Sequence, residues 1–353
     1  MKLITALSLS LAASAAFAHH GSNGQFNHEV KIEVSGVATG ARFVNPHAYI
    51  YFNATGDAGE THEWRCELRG GSLLKRNGWS EDMFAPGTEI TVNGSQARRE
   101  EFGCYTDTIT FADGNVVARN ATIDAQAAEV IAEANLAPGT PVLHGHWFAT
   151  ERGGGAPEAA AEFAAAAWPS DVPAGRQNMI VSEAGAAAAP ANFDREMNPR
   201  FHCQATNLFH DWWFDMHVNR IEQSDDKIVM TYGFMDIERT IHLDMDTHPA
   251  NIVPSRAGHS IGRWEGDTLV VDTLGFEAGW LAATREAIMH SDQMHTVERF
   301  DLSDDGQYLA LTYTINDPYL DAPYTSQMVQ TKTAAPYDSY QCEDLTEERV
   351  DGF

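Results

Sequence analysis

Residues 258–273 read GHSIGRWEGDTLVVDT. His259–Trp264 forms one run and Thr268–Leu274 a second, rich in valine and threonine, with Glu265-Gly-Asp267 as the turn between them. That is a strand–turn–strand unit. Working outward, the pattern recurs. Residues 215–223 and 227–234 flank Ser224-Asp-Asp226, and residues 294–302 and 307–316 flank Ser303-Asp-Asp-Gly306. Single runs lie at Ile237–Asp244 and Thr325–Thr333. Eight or so antiparallel strands joined mainly by hairpins predict a closed, lipocalin-like β-barrel, because closure removes exposed sheet edges. A β-sandwich is the alternative. A barrel of this size holds one small ligand.

The first half is also β-rich, with shorter strands. Val30, Ile32 and Val34 alternate with Lys31, Glu33 and Ser35, the period-two pattern of a half-buried strand. Ala48–Phe52 and the run through His62, Trp64 and Cys66 follow, then a short helix at Ser72–Arg76 with Ser72 as its cap. Glu89–Gly94 and two runs flanking Asp113-Gly114 complete the set. Five or so short strands around one small helix predict an OB-like barrel. The fold class is therefore mainly β.

Between the halves the composition changes. Asp124–Ala137 reads as a short helix stopped by Pro138-Gly139, and Gly153–Ala191 is a low-complexity Ala/Gly/Pro/Glu stretch, too poor in large apolar residues to organise a core. It reads as a tether. His144–Phe148, just before it, is the exception and is expected to dock on a domain. The expected division is 1–18 signal peptide, 19–120 OB-like domain, 121–195 linker and 196–353 barrel.

The signal rests on Lys2, the apolar run Leu3–Ala16 and the small-x-small site Ala16-Phe17-Ala18. Cleavage there would start the chain at His19-His20 in the periplasm or outside the cell. No later stretch approaches the roughly 20 apolar residues of a membrane span. With 23 basic against 50 acidic residues and a net charge of −27, the chain lacks the basic clusters that nucleic acid requires. Four cysteines in an exported chain predict two disulfides. Three pairings exist, and the simplest keeps each bond within a half: Cys66–Cys104 and Cys203–Cys342.

His19-His20-Gly, Asn45-Pro46-His47-Ala48 and Leu73-Leu74 through Gly78-Trp79 to Pro86-Gly87 resemble the DUF6152 family of exported proteobacterial proteins over residues 19 to about 117. Residues 258–273, with His290 and Glu298-Arg299-Phe300, are similar to an uncharacterised domain that accompanies it or occurs alone. Both resemblances bear on architecture rather than chemistry.

Two constellations suggest chemistry. In the first, His19 would offer a free amine and an imidazole, and His20, His28, His47 or His62 a further nitrogen. Three nitrogens suit Cu(II), and the candidate ligands are His19, His20 and His47. In the second, Glu298 shares strand parity with Met294, Thr296, Phe300 and Leu302, and Arg239 with Ile237, Ile241 and Leu243. Two opposite charges thus point into the barrel, where they are either a structural pair or a ligand site. His248, His259, His290 and His295 fall near strand ends or loops, at the barrel mouths. The expected function is an exported small-molecule-binding protein or enzyme of lyase, isomerase or hydrolase type, with Arg239, His248, His259, His290 and Glu298 as acid–base and binding groups. A three-histidine zinc or copper site from His248, His259 and His290 is a weaker version, and a periplasmic copper-binding protein the alternative. There is no nucleophile elbow, phosphate-binding loop or dinucleotide fingerprint.

Overall fold

The computed structural model describes residues 25–56, 58–124, 131–149, 158–168, 179–193, 197–212, 217–283 and 286–343. Residues 1–18, read above as a signal, and His19 and His20 lie outside them. The chain is mainly β and divides into two compact units: Met1–Gly40, Tyr49–Leu68 and Phe84–Arg119 in one, and Ala41–Ala48, Arg69–Met83 and Asn120–Phe353 in the other.

The N-terminal strands are β1 (Phe26–Arg42), β2 (Tyr49–Thr55), β3 (Thr61–Glu67), β4 (Glu89–Ala97), β5 (Gly103–Phe111) and β6 (Val116–Ala118), with helix α1 (Gly71–Arg76) between β3 and β4 in sequence. The sheet order is β3-β2-β1-β4-β5-β6, and β3 also pairs with β5. That extra pairing is parallel, matching Cys66 to Cys104. It closes five strands into the ring expected of an OB-like barrel. The Cys66–Cys104 disulfide bridges the matched pair. Ser72 does not cap α1: Gly70 occupies the N-cap, and the Ser72 hydroxyl accepts instead from Asn45 Nδ2 at 2.7 Å.

The second unit carries the larger barrel. Its strands are β7 (Gly145–Phe148), β8 (Val218–Gln223), β9 (Lys227–Thr231), β10 (Glu238–His242), β11 (His259–Glu265) and β12 (Thr268–Leu274). A two-stranded sheet of β13 (Gly279–Ala282) and β14 (Ile288–His290) interrupts the series. Three more strands follow: β15 (His295–Leu302), β16 (Tyr308–Asn316) and β17 (Tyr324–Thr333). They close in the order β10-β11-β12-β15-β16-β17-β7-β8-β9. The barrel is thus closed as expected, but it has nine strands rather than eight or so. An odd number of strands cannot close with antiparallel pairs alone. The β10–β11 pair is the parallel one, matching Ile241 to Ser260, and a long connection carries the chain back between them.

β7 corrects the domain boundary at 196. Gly145–Phe148 pairs with β8 on one side and β17 on the other, so the barrel begins upstream of the low-complexity stretch. Described parts of that stretch also pack on the barrel rather than hang free. Helix α2 (Glu158–Ala167) lies against β16 and β17, its buried Ala160 and Ala164 permitting close approach. In helix α3 (Glu183–Ala188), Ser182 is the N-cap, accepting from Gly185 N at 3.2 Å and donating to Pro318 O at 2.9 Å. Of the helix expected at 124–137, residues 125–130 lie outside the described set and 131–137 are irregular.

Side chains fill the barrel. Trp147, Ile221, Met230, Ile241, Val271, Phe300, Leu311 and Ile315 are among its fully or almost fully buried residues. Helix α4 (Leu208–Trp212) joins the same core. Phe209 stacks on Tyr313 with centroids 4.2 Å apart, and Trp212 packs on Tyr232. The C-terminal tail is strapped down twice. Cys203–Cys342 is bonded, and the Asp236 carboxylate accepts from Tyr337 Oη, Ser339 Oγ and the Tyr340 amide at 2.9–3.0 Å. Both disulfides are the pairs expected within halves.

Candidate functional site

Four adjacent strands, β10, β11, β12 and β15, form one wall of the barrel. Because strand side chains alternate, consecutive residues of one strand face opposite sides of that wall. Here both sides carry polar clusters, and they are set back to back.

On the inner side, Arg239 donates from Nη1 to Glu298 Oε2 and from Nη2 to Oε1, both at 2.7 Å. Its Nε donates to Ser260 Oγ at 3.0 Å, and Nη2 also reaches Thr273 Oγ1 at 2.9 Å. Arg239 and Glu298 have side-chain exposures of 1% and 0%. The parity argument therefore placed both charges correctly, and the structure pairs them. Burial disfavours the Arg239 cation, but the charge and hydrogen bonds of Glu298 outweigh it and hold the guanidinium above its ordinary pKa. A fork-to-fork pair with Nε and Nη2 also bonded to Ser260 and Thr273 is a stable arrangement for buried charge.

The outer side carries a row of imidazoles around one carboxylate. His248 stands in the β10–β11 connection, His259 opens β11, Asp272 lies on β12 and His295 opens β15. Asp272 Oδ1 lies 2.9 Å from His248 Nε2, and Oδ2 lies 2.8 Å from His295 Nε2. His248 Nδ1 lies 2.9 Å from His259 Nδ1. His242, on β10, stacks beside His259 with centroids 5.1 Å apart and planes 14° apart. Burial alone would push Asp272 up, but the hydrogen bonds from His295 and His248 prevail and hold its carboxyl below the usual range. Burial, then His248 and His242, push the His259 imidazole below its ordinary value.

These contacts assign the tautomers. Ionised Asp272 only accepts, so His248 donates from Nε2; with a single proton on that ring, its lone pair lies on Nδ1. His259 must then donate from Nδ1, which leaves the His259 Nε2 lone pair at the end of the chain. The result is a relay from carboxylate to imidazole to imidazole. A proton taken up at His259 Nε2 is shared along an axis that ends in a fixed negative charge.

His290 is not part of this row. It sits on β14, 5% exposed, with Nδ1 at 3.1 Å from Ser291 O and its ring edge-on to Phe276. Burial pushes it below the ordinary imidazole range, against opposing effects of Ser291 and Asp317. The grouping of His290 with His248 and His259 is therefore corrected. The small β13–β14 sheet removes it from the main barrel wall. Among the described residues, no group of three or more His, Cys, Asp or Glu side chains is arranged to hold a metal ion. His47 is half-buried in the β1–β2 connection. His28 contacts Ser95 Oγ at 3.1 Å, and His62 stacks on Phe102.

Two members of the outer row escaped the sequence reading, His242 and Asp272. Parity held the signal for Asp272: with Leu269, Val271 and Thr273 inward, Asp272 must face outward. A second overlooked group is Asp211 on α4. Its Oδ2 accepts from Thr206 N at 2.7 Å, Oδ1 has no partner, and burial pushes the carboxyl up to about 8.

Residues 7–105 match the model of DUF6152, a family of unknown function. The match supports the resemblance of the N-terminal half. The DUF6152 segment stops short of both polar clusters, so its identity assigns them no chemistry. No curated protein and no solved structure matches the chain. Among the described residues, no helix is long and apolar enough to cross a membrane.

Proposed function

We propose that this chain is an exported enzyme performing general acid–base chemistry on a small organic molecule, with His259 Nε2 as the base. The observation that carries this reading is the unbroken line Asp272–His248–His259, with successive contacts of 2.9 Å. In it, His248 is the positioning residue: it fixes the tautomer of His259 and transmits the field of Asp272. Asp272 stabilises the imidazolium that forms. A lyase, isomerase or hydrolase step needs such a group to take a proton and return it. Two disulfides and the N-terminal apolar run support export. In this reading Arg239 and Glu298 are the rigid backing of the site, not groups that touch substrate.

Proton abstraction can be read without knowing the product. A panel of small oxo acids, hydroxy acids and lactones is incubated with the protein in D2O, and loss of carbon-bound proton signals is followed by NMR. The wild type should catalyse exchange in at least one member, and His259→Ala should slow it about 100- to 10,000-fold. Exchange that is equal in the two proteins, or absent across the panel, contradicts the proposal.

A further inference from the structure

The connection between β10 and β11 is tied at its ends. Leu243 N donates to Asp226 O, and Ser255 N donates to Gly275 O. Between these anchors, residues 244–254 are exposed except for two, His248 and Ile252. Val253 is the extreme, at 86%. Ile252 packs over Gly275, whose φ of +75° and lack of a side chain admit it; a Cβ there would stand 2.3 Å from Ile252 Cγ2. His248 is the half-buried polar side chain of the stretch, at 12% side-chain exposure, and it reaches Asp272 on the barrel wall.

We infer that His248 is a proton-operated latch, holding the 244–254 connection over the His259–Asp272 row at neutral pH and releasing it in mild acid. Two ring nitrogens 2.9 Å apart accommodate one proton between them and not two. A proton added at the outward nitrogen His259 Nε2 meets no conflict. Once His259 is a cation it still donates to the His248 Nδ1 lone pair. When His248 also takes a proton on Nδ1, two N–H groups face each other and the contact breaks. Ile252 over Gly275 is an apolar contact that carries no charge.

The charged and titratable neighbours come from β10, β12 and β15. From β10, His242 stacks on His259, with Asp244 3.9 Å from its Nδ1. From β12, Asp272 stays ionised through this range, because its pKa is already low. From β15, His295 competes for the same carboxylate. The imidazole of His259 is depressed in the closed form by burial, then by His248 and His242, so the open form binds more protons. Closure is therefore fully present above the ordinary imidazole value of about 6.5 and is lost as pH falls below it.

The latch concerns the regulation of the proposed catalytic row, and the row's assignment as a base rests on that earlier reading, but release of the connection is measured without substrate. Amide order parameters of residues 244–254 are obtained by 15N relaxation on the full chain at about pH 7.5 and about pH 5, either side of the imidazole value. In the wild type they should match rigid backbone, about 0.85, in the first condition and fall below about 0.6 in the second. His259→Gln, whose side-chain amide donates to His248 Nδ1 but does not titrate, should stay ordered in both. A wild-type connection equally ordered or equally loose at the two pH values, or a His259→Gln connection that is loose in acid, overturns the latch. Failure of the deuterium-exchange panel leaves this outcome untouched.

Discussion

Asp272 and Thr273 are consecutive residues of β12 whose side chains serve opposite faces of one barrel wall. Thr273 Oγ1 accepts from Arg239 inside, and Asp272 accepts from His248 and His295 outside. The same doubling holds for His259 with Ser260 and for His295 with Thr296, whose Oγ1 lies 3.4 Å from Glu298 Oε1. The inner ion pair thus joins β10 to β15 across the face opposite the outer row.

Removing one partner of that pair strands a charge in the core. Glu298→Ala or Arg239→Ala should each lower unfolding free energy by about 3–5 kcal/mol, read by chemical denaturation. The double change Arg239→Met with Glu298→Leu should recover most of that loss. If the single variants are as stable as wild type, the pair does not back the wall.

Both disulfides should stabilise by closing long loops in the unfolded chain. Their sequence separations are 38 for Cys66–Cys104 and 139 for Cys203–Cys342. Chain-entropy arguments give about 4 and about 5 kcal/mol respectively. Replacing each pair with serine or alanine and measuring denaturant midpoints checks both values.

Asp211 gives a pH signature of its own. Its carboxyl, raised by burial to about 8 from 3.8, binds a proton more tightly folded than unfolded. Its contribution to stability is full below the unfolded value and declines as pH rises towards 8, by at most about 1.4 kcal/mol per pH unit. Asp211→Asn keeps the bond from Thr206 N and carries no charge. The variant should melt above wild type in alkaline solution, with the difference vanishing near pH 4, the unfolded carboxylate value.

For the proposed activity, His259→Ala should cost about 100- to 10,000-fold in rate, the usual scale of a general base. Asp272→Asn should also slow the reaction, since the imidazolium loses its counter-charge while the side-chain volume stays the same. A rate unaffected by Asp272→Asn would remove the carboxylate from the mechanism.

Period-two alternation made much of this legible. It placed Arg239 and Glu298 inward, because each lies among apolar residues at alternate positions. It also supported two closed β units, and keeping each bond within a half gave both disulfides. The departures have physical causes. β7 is four residues long and pairs with strands far away in sequence, so no local pattern announces it. The β10–β11 pair was expected to be antiparallel, and its parallel register follows from a crossover that sequence periodicity does not encode. That crossover is also what carries His248 back over β11 and β12, so the meeting of His248, His259 and Asp272 was hidden while the position of each residue was plain. His290 was grouped with them by proximity to strand ends, and its small side sheet sets it apart.

The most direct test of the central claim is the tautomeric state of two imidazoles, read from long-range 1H–15N correlations of the full chain in mildly alkaline solution. The relay requires the proton of His248 on Nε2 and that of His259 on Nδ1, with both signals lost or altered together in Asp272→Asn. Finding His259 protonated on Nε2 would contradict the relay, because the lone pair assigned to catalysis would be absent.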